Sequence, residues 1–373
     1  MNRGIWWVMA GGFLLLLWLS PLQGLSGLLP EPERTENRRP APWPGAPWAM
    51  EGAGEGAGFG AWRDGMRAWF NDHFGLRKIL VRGHHRAKMG LFGASPEPRV
   101  IVGREGWLFL GAHQAMDNLR TIPPMEEAEL RRWEARLVAM QQPLEAAGIP
   151  FVVVMAPIKR SVYPEFLPER VARVRATSRW AQLRDWLAAH TTVPVVDLVP
   201  AVVAAKPAGR VFHMTDHHWN ALGAHAAYRL LVRELARRWP GQLGTLGEPY
   251  QAEVAWRMEG GGSLARMLAM PGVFAEETPM VTLPGAPMPR RIRQAGQNGR
   301  PQPGRYVLEN SARPEGPTAW VAHDSFMDPM APMLATHFQR VVFQRGRQVN
   351  EMEVIRAKPD IVILQLSEGA LNR

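Results

Sequence analysis

The chain has 373 residues, 46% hydrophobic and 21% charged, the balance of a folded globular protein with room for one large domain or two ordinary ones. It contains no cysteine, which excludes disulfides, thiolate metal sites and cysteine nucleophiles. The formal charge of +10 is carried almost wholly by arginine, which admits acidic polysaccharide, anionic headgroups or nucleic acid as partners, or simply a solvated basic surface.

In chain order, Met1-Asn-Arg3 is followed by an uncharged apolar run from Gly4 to Ser20, extended without charge to Leu29. Residues 1–29 therefore read as an uncleaved signal anchor that crosses a membrane, since a span takes roughly 20 apolar residues and no small-x-small cleavage site follows. With Arg3 inside, the rest of the chain is expected outside the cytoplasm, away from nucleic acid. Residues 30–60, dense in Pro, Gly and Ala, read as a linker. Trp62, Met66, Trp69 and Phe70 recur at helical spacing, and a second, basic amphipathic helix follows Phe74-Gly-Leu-Arg77.

Short strands are expected at 100–102 and 107–110 around the turn Gly103-Arg-Glu-Gly106. Helix and strand then alternate: helices near 125–147, 178–189, 221–238 and 330–338, and strands at 151–156, 193–198, 319–322, 341–343 and 361–366. Strands apolar on both faces with helices between them predict a three-layer α/β/α domain, residues 61–373, around a mostly parallel sheet. Residues 241–316 lack periodicity and read as an insertion beside the active site or a small β domain.

Two clusters carry candidate chemistry. The first is Phe212-His-Met-Thr-Asp-His-His-Trp-Asn220, just before a helix; the second is Val321-Ala-His-Asp-Ser-Phe326, at a strand-to-helix turn. Groups at the carboxyl ends of strands in an open α/β sheet converge on a crevice, so Ser325 is placed to attack a bound ester. A serine needs a histidine to take its proton and that histidine a carboxylate to orient it, which His218 and Asp216 can supply from one loop. Alternatively, Asp324-Ser325 is a helix cap, and His213, Asp216, His217 and His218 are metal ligands by residue type.

The sequence resembles the alginate O-acetyltransferase family of the AlgJ and AlgX type. The resemblance runs from about Trp69 to Leu371, through Phe70-Asn-Asp-His-Phe-Gly-Leu-Arg77, Val102-Gly-Arg-Glu-Gly-Trp-Leu-Phe109, Ala156-Pro-Ile-Lys159 with Val162-Tyr-Pro-Glu165, Asp216-His-His-Trp-Asn220 with Gly223, Asp324-Ser-Phe326 and Pro359-Asp-Ile-Val362. It implies an SGNH-hydrolase-like domain with a catalytic triad of Ser325, His218 and Asp216, Trp219 packed behind the histidine, and neither metal nor cofactor. Lys159 matches a lysine near the family's site or is a surface lysine capping the strand end, and Lys159, His217 and His323 are the candidates for substrate contact. His323 stands two before the serine, where relatives usually carry a small residue.

The resemblance further implies acetyl transfer to an exopolysaccharide, alginate or another and anionic or not, through an acetyl-serine intermediate. The acetyl donor would be a membrane-bound O-acyltransferase partner, and the domain would sit in the periplasm, anchored to the inner membrane. A carbohydrate esterase and a non-catalytic polysaccharide-binding member of an export complex are the alternatives.

Overall fold

The computed structural model describes residues 41–46, 57–73, 77–92, 95–111, 124–169, 177–292 and 303–372, with a few isolated positions among the first 14. The anchor expected over residues 1–29 falls almost entirely outside these, and among the described residues no helix is long and apolar enough to cross a membrane. The helices at the N-terminal end are α1 (Ala57–His73), which begins within the stretch expected as linker, and α2 (Arg77–Phe92). A two-stranded antiparallel ribbon follows, β1 (Val100–Val102) and β2 (Leu108–Leu110).

The domain then alternates α3 (Glu127–Ala146), β3 (Phe151–Ala156), α4 (Arg179–His190), β4 (Val195–Asp197) and α5 (Ala221–Arg238). A second antiparallel ribbon pairs β5 (Glu253–Glu259) with β6 (Glu276–Thr282), joined through the short α6 (Ser263–Met267). After β7 (Arg290–Ile292) and β8 (Arg305–Glu309) come β9 (Thr318–His323), α7 (Ala331–Ala335), β10 (Arg340–Arg345), α8 (Glu351–Ala357) and β11 (Ile361–Ser367).

The central sheet runs β4-β3-β11-β9-β10-β8-β7. Its first five strands are parallel, but β8 runs antiparallel to both β10 and β7. The sheet is thus mixed where a mostly parallel one was expected, and the reversed strand comes from residues 241–316, whose sequence gives no periodic signal. Its polar, arginine-bearing strands suit an edge, whereas β3 and β11 are buried along their whole length at the centre.

Side-chain alternation along β3 sends Phe151, Val153 and Met155 to one face, against Leu137, Leu144, Trp180 and Leu187 of α3 and α4. Val152, Val154 and Ala156 go to the other, with Ala224, Leu231 and Leu235 of α5 and Leu334 of α7. These are the three layers, and each large aliphatic side chain buried between them contributes about 1.5–3 kcal/mol. From β3 the chain moves outward to β4, and from β9 outward the other way to β10, before β11 returns between β3 and β9. The strand order therefore reverses at the centre, and the carboxyl ends of β9 and β11 face a switch-point crevice.

Candidate active site

Ser325 lies just past the carboxyl end of β9, on a turn held by Asp324. Asp324 Oδ1 accepts from the Phe326 N–H at 3.0 Å and from Gln365 Nε2 at 3.1 Å, and its Oδ2 accepts from the Ser367 N–H at 2.9 Å. The aspartate before the serine thus fixes the turn to β11. It is not the carboxylate that orients the histidine.

That carboxylate is Asp216. Its Oδ1 accepts from His218 Nδ1 at 2.7 Å and from the His218 backbone N–H at 3.0 Å. With Nδ1 committed to the carboxylate as donor, the neutral imidazole presents Nε2 as acceptor, and Ser325 Oγ lies 2.8 Å from it. Burial acts to raise the Asp216 carboxyl, but hydrogen bonds from His218 and Ser263 outweigh it and hold Asp216 well below the usual carboxylate range. Asp216 therefore stays ionised and keeps the proton on Nδ1.

The loop that carries both residues is stiff for reasons visible in its flanks. Asn220 caps α5, accepting from the Leu222 and Gly223 N–H groups, both at 3.1 Å, while its amide donates to Arg210 O at 2.6 Å. Gly223 is required because a Cβ there would stand 2.2 Å from Val211 O. Trp219 is fully buried, and its indole N–H donates to Phe326 O at 2.9 Å, tying the histidine loop to the serine turn.

The other side of the loop is held by residues between β5 and β6. The Ser263 N–H donates to Asp216 Oδ2 at 2.8 Å, and the Gly262 N–H donates to Thr215 Oγ1 at 2.8 Å. Glu276, buried at the start of β6, accepts from the Met214 N–H at 2.6 Å and the Thr215 N–H at 3.0 Å, and also from the Thr215 hydroxyl. Sequence reasoning missed Gly262, Ser263 and Glu276. The run Gly260-Gly-Gly-Ser263 is the available signal, since close backbone approach demands glycine: a Cβ on Gly262 would sit 2.6 Å from Asp216 Cβ.

Of the side chains expected to contact substrate, His217 remains at the cleft, half-buried, its ring 3.7 Å from that of His218 and its Nδ1 3.1 Å from Ser263 Oγ. Burial, reinforced by His218, lowers it to about 4 and keeps it neutral. Lys159 faces backbone instead of the cleft: it is 3% exposed, and its ammonium donates to Leu108 O at 2.7 Å and Met214 O at 3.0 Å. It pins the histidine loop to β2, and burial, partly countered by Glu276 and Asp216, lowers it to about 7. His323 is wholly buried, because strand alternation turns it into the core against Tyr306 and Phe343, so the expected substrate contact gives way to a packing role.

Asp216, His217 and His218 present ligand-type atoms within 4.8 Å of one another. Both oxygens of Asp216 and both ring nitrogens of His218 already have partners, so a cation there would have to break the chain of hydrogen bonds to Ser325. The arrangement sets a serine hydroxyl against the acceptor nitrogen of a carboxylate-paired imidazole.

A family model described as the SGNH hydrolase-like domain of the acetyltransferase AlgX matches residues 100–293. The chain is 25% identical over 201 residues to the probable alginate O-acetylase AlgJ of Pseudomonas syringae pv. tomato, covering 52% of this chain and 46% of that protein. It is also 25% identical over 240 residues to the Pseudomonas aeruginosa protein of the same name, covering 64% and 54%. The chain thus matches about half the length of these curated relatives. Among solved structures, Bacillus cereus PatB1 superposes with a TM-score of 0.54 at 13% identity, over 73% of this chain and 96% of that one, a likeness of fold.

Proposed function

Since the chain belongs to the SGNH hydrolase-like AlgX acetyltransferase family, we propose that it is an O-acetyltransferase that moves acetyl groups onto hydroxyls of an exopolysaccharide through an acetyl-serine at Ser325. The observation that carries the reading is the unbroken chain Asp216–His218–Ser325, with separations of 2.7 and 2.8 Å. Ser325 Oγ attacks the carbonyl carbon of the bound acetyl donor while its proton passes to His218 Nε2, and the imidazolium then protonates the departing group. Asp216 stabilises the imidazolium through Nδ1. In the second half, an acceptor hydroxyl gives its proton to His218 Nε2, its oxygen takes the acetyl group, and Ser325 recovers its proton.

The developing oxyanion needs donors that the ground state leaves unused. Among the described residues nothing accepts from the Ser325 N–H, which supports it as one such donor. The names of the AlgJ relatives support alginate as the acceptor, and a membrane-bound O-acyltransferase is the acetyl source that fits the reading. An anchor in residues 1–29 would hold the domain outside the cytoplasm, in the periplasm at the inner membrane.

The test is to supply the full chain with an activated acetyl ester, with and without alginate oligosaccharide, and measure both released acetate and acetylated sugar. Acetylated sugar that requires Ser325 and His218 is expected. Acetate release that the sugar leaves unchanged, with no acetylated product, would make the protein an esterase; no Ser325-dependent reaction of either kind would remove the enzyme reading.

A further inference from the structure

A cavity of about 480 Å³ opens beside the serine turn, bounded by Arg291, Arg305, Tyr306, Asp328, Pro332 and Arg345 among others. Its Arg345 and Asp328 end lies on the same rim of the sheet as Ser325, while Arg291, level with Ala319 toward the other end of β9, reaches the cavity over the Tyr306 ring. Arg345 ends β10 in register with His323 of β9, Tyr306 of β8 pairs with Phe343 of β10, and Arg291 of β7 pairs with Leu308 of β8. At about 4.8 Å between neighbouring strands, these residues stand one to three strands, about 5–15 Å, across the sheet from β9, and the Arg291 backbone is also set back by about four residues, roughly 13 Å, along it. Asp328 closes the gap: its N–H donates to Ser325 O at 3.3 Å, so the cavity begins within one turn of the nucleophile.

The charges on its walls are unequal. Arg305 is taken up by Gln344 at 2.8 Å and Glu353 at 2.6 Å, and is nearly buried. Arg345 is half-exposed and paired with Asp328 at 2.5 Å, the one acid among the lining residues. Arg291 is exposed, lies 4.5 Å over the Tyr306 ring, and has no ion pair among the described residues. Stacking on an aromatic face holds its guanidinium plane in a fixed orientation, with the N–H fork left for a planar anion. The Tyr306 ring is in turn seated on Phe343 at 4.9 Å, so the platform belongs to the rigid sheet.

We propose that this cavity is an acidic-sugar subsite, in which Arg291 and Arg345 bind the carboxylate of a sugar unit further along the polymer from the one acetylated. The inference rests on the polysaccharide-acceptor reading above and assigns the residues that would recognise that acceptor. Burial, with Asp328 beside it, pushes the Tyr306 hydroxyl up to about 12, so it remains a neutral donor to the same ligand. Asp328 would release part of its hold on Arg345 when the sugar carboxylate arrives, and because Asp328 sits on the Ser325 turn, acceptor binding would be felt at the nucleophile.

The test uses the full chain carrying Ser325→Ala, which binds an acceptor without turning it over, and compares a short oligouronate with a neutral oligosaccharide of equal length by calorimetry. The uronate is expected to bind more tightly, with affinity that falls as salt rises; Arg291→Gln is expected to weaken it about tenfold, the scale of one charge-assisted fork, and to flatten the salt dependence. Arg291→Lys should restore part of that loss. The proposal is overturned by equal affinity for the neutral sugar, by no uronate binding to a chain that melts cooperatively, or by unchanged binding in both Arg291→Gln and Arg345→Gln. Arg291-dependent binding to anionic phospholipid vesicles in place of the uronate would reassign the site to a lipid headgroup. Ester turnover by the unsubstituted chain, lost in Ser325→Ala, reports on the triad separately, so failure of the subsite and failure of the enzyme reading are distinguishable.

Discussion

Gly262→Ala should disable the site without touching a member of the triad. The added Cβ would stand 2.6 Å from Asp216 Cβ, 3.0 Å from Asp216 N and 3.1 Å from Asp216 Cα. Ordinary contact begins at 3.4 Å, so the two segments must part by at least 0.8 Å, and the opposing atoms, Asp216 Cβ, N and Cα, move only with the backbone, leaving no flexible side-chain end to absorb it. The bonds that cross this seam, Ser263 N–H to Asp216 Oδ2 and Gly262 N–H to Thr215 Oγ1, are both 2.8 Å long, and an opening of that size takes them out of good hydrogen-bond range. Overpacking of this kind costs about 1–3 kcal/mol of stability. A displacement approaching 1 Å at the carboxylate that orients His218 costs about 100-fold in kcat. Hydrolysis of a chromogenic acetyl ester, read beside a thermal melt, checks both numbers. Wild-type kcat in a Gly262→Ala protein would refute the claim that the β5–β6 segment positions the triad.

Three further outcomes follow from the same geometry. Asp216→Asn should lower ester turnover by about 10³–10⁴-fold with little change in substrate affinity, because the amide no longer holds the proton on His218 Nδ1, and steady-state kinetics separates the two effects. Lys159 is lowered by burial to about 7 from an ordinary 10.5, so between these values the unfolded chain binds the extra proton and stability rises with pH. Melting curves from pH 7 to 10 should show a rise in the wild type that is smaller in Lys159→Met. Trp219→Phe removes the donor to the buried Phe326 O and should cost about 1–3 kcal/mol in denaturant unfolding.

Much of this was legible in the sequence, and for local reasons. The apolar runs Phe151–Ala156 and Ile361–Ser367 are central strands because nothing in them tolerates water, and the helix at Ala221 starts where Asn220 can cap it. Asp216 and His218 pair across two residues of one loop, so their geometry is written in their spacing. The clamp of Ser263 and Glu276 was not legible, since a segment more than 40 residues downstream meets the loop only in the folded chain. The reversed strand Arg305–Glu309 is short and half polar, with no period strong enough to read. His323 was misread because its place two before the serine suggested proximity, while strand alternation turns it away into the core.

The most direct measurement is mass spectrometry of the intact chain and its peptides after brief exposure to an activated acetyl ester at acidic pH, where deacylation is slow. A single acetyl group on the peptide containing Ser325, absent from Ser325→Ala and strongly reduced in His218→Ala, is the expected result. Turnover of the ester with the acetyl group on another residue, or with full activity retained by Ser325→Ala, would contradict it.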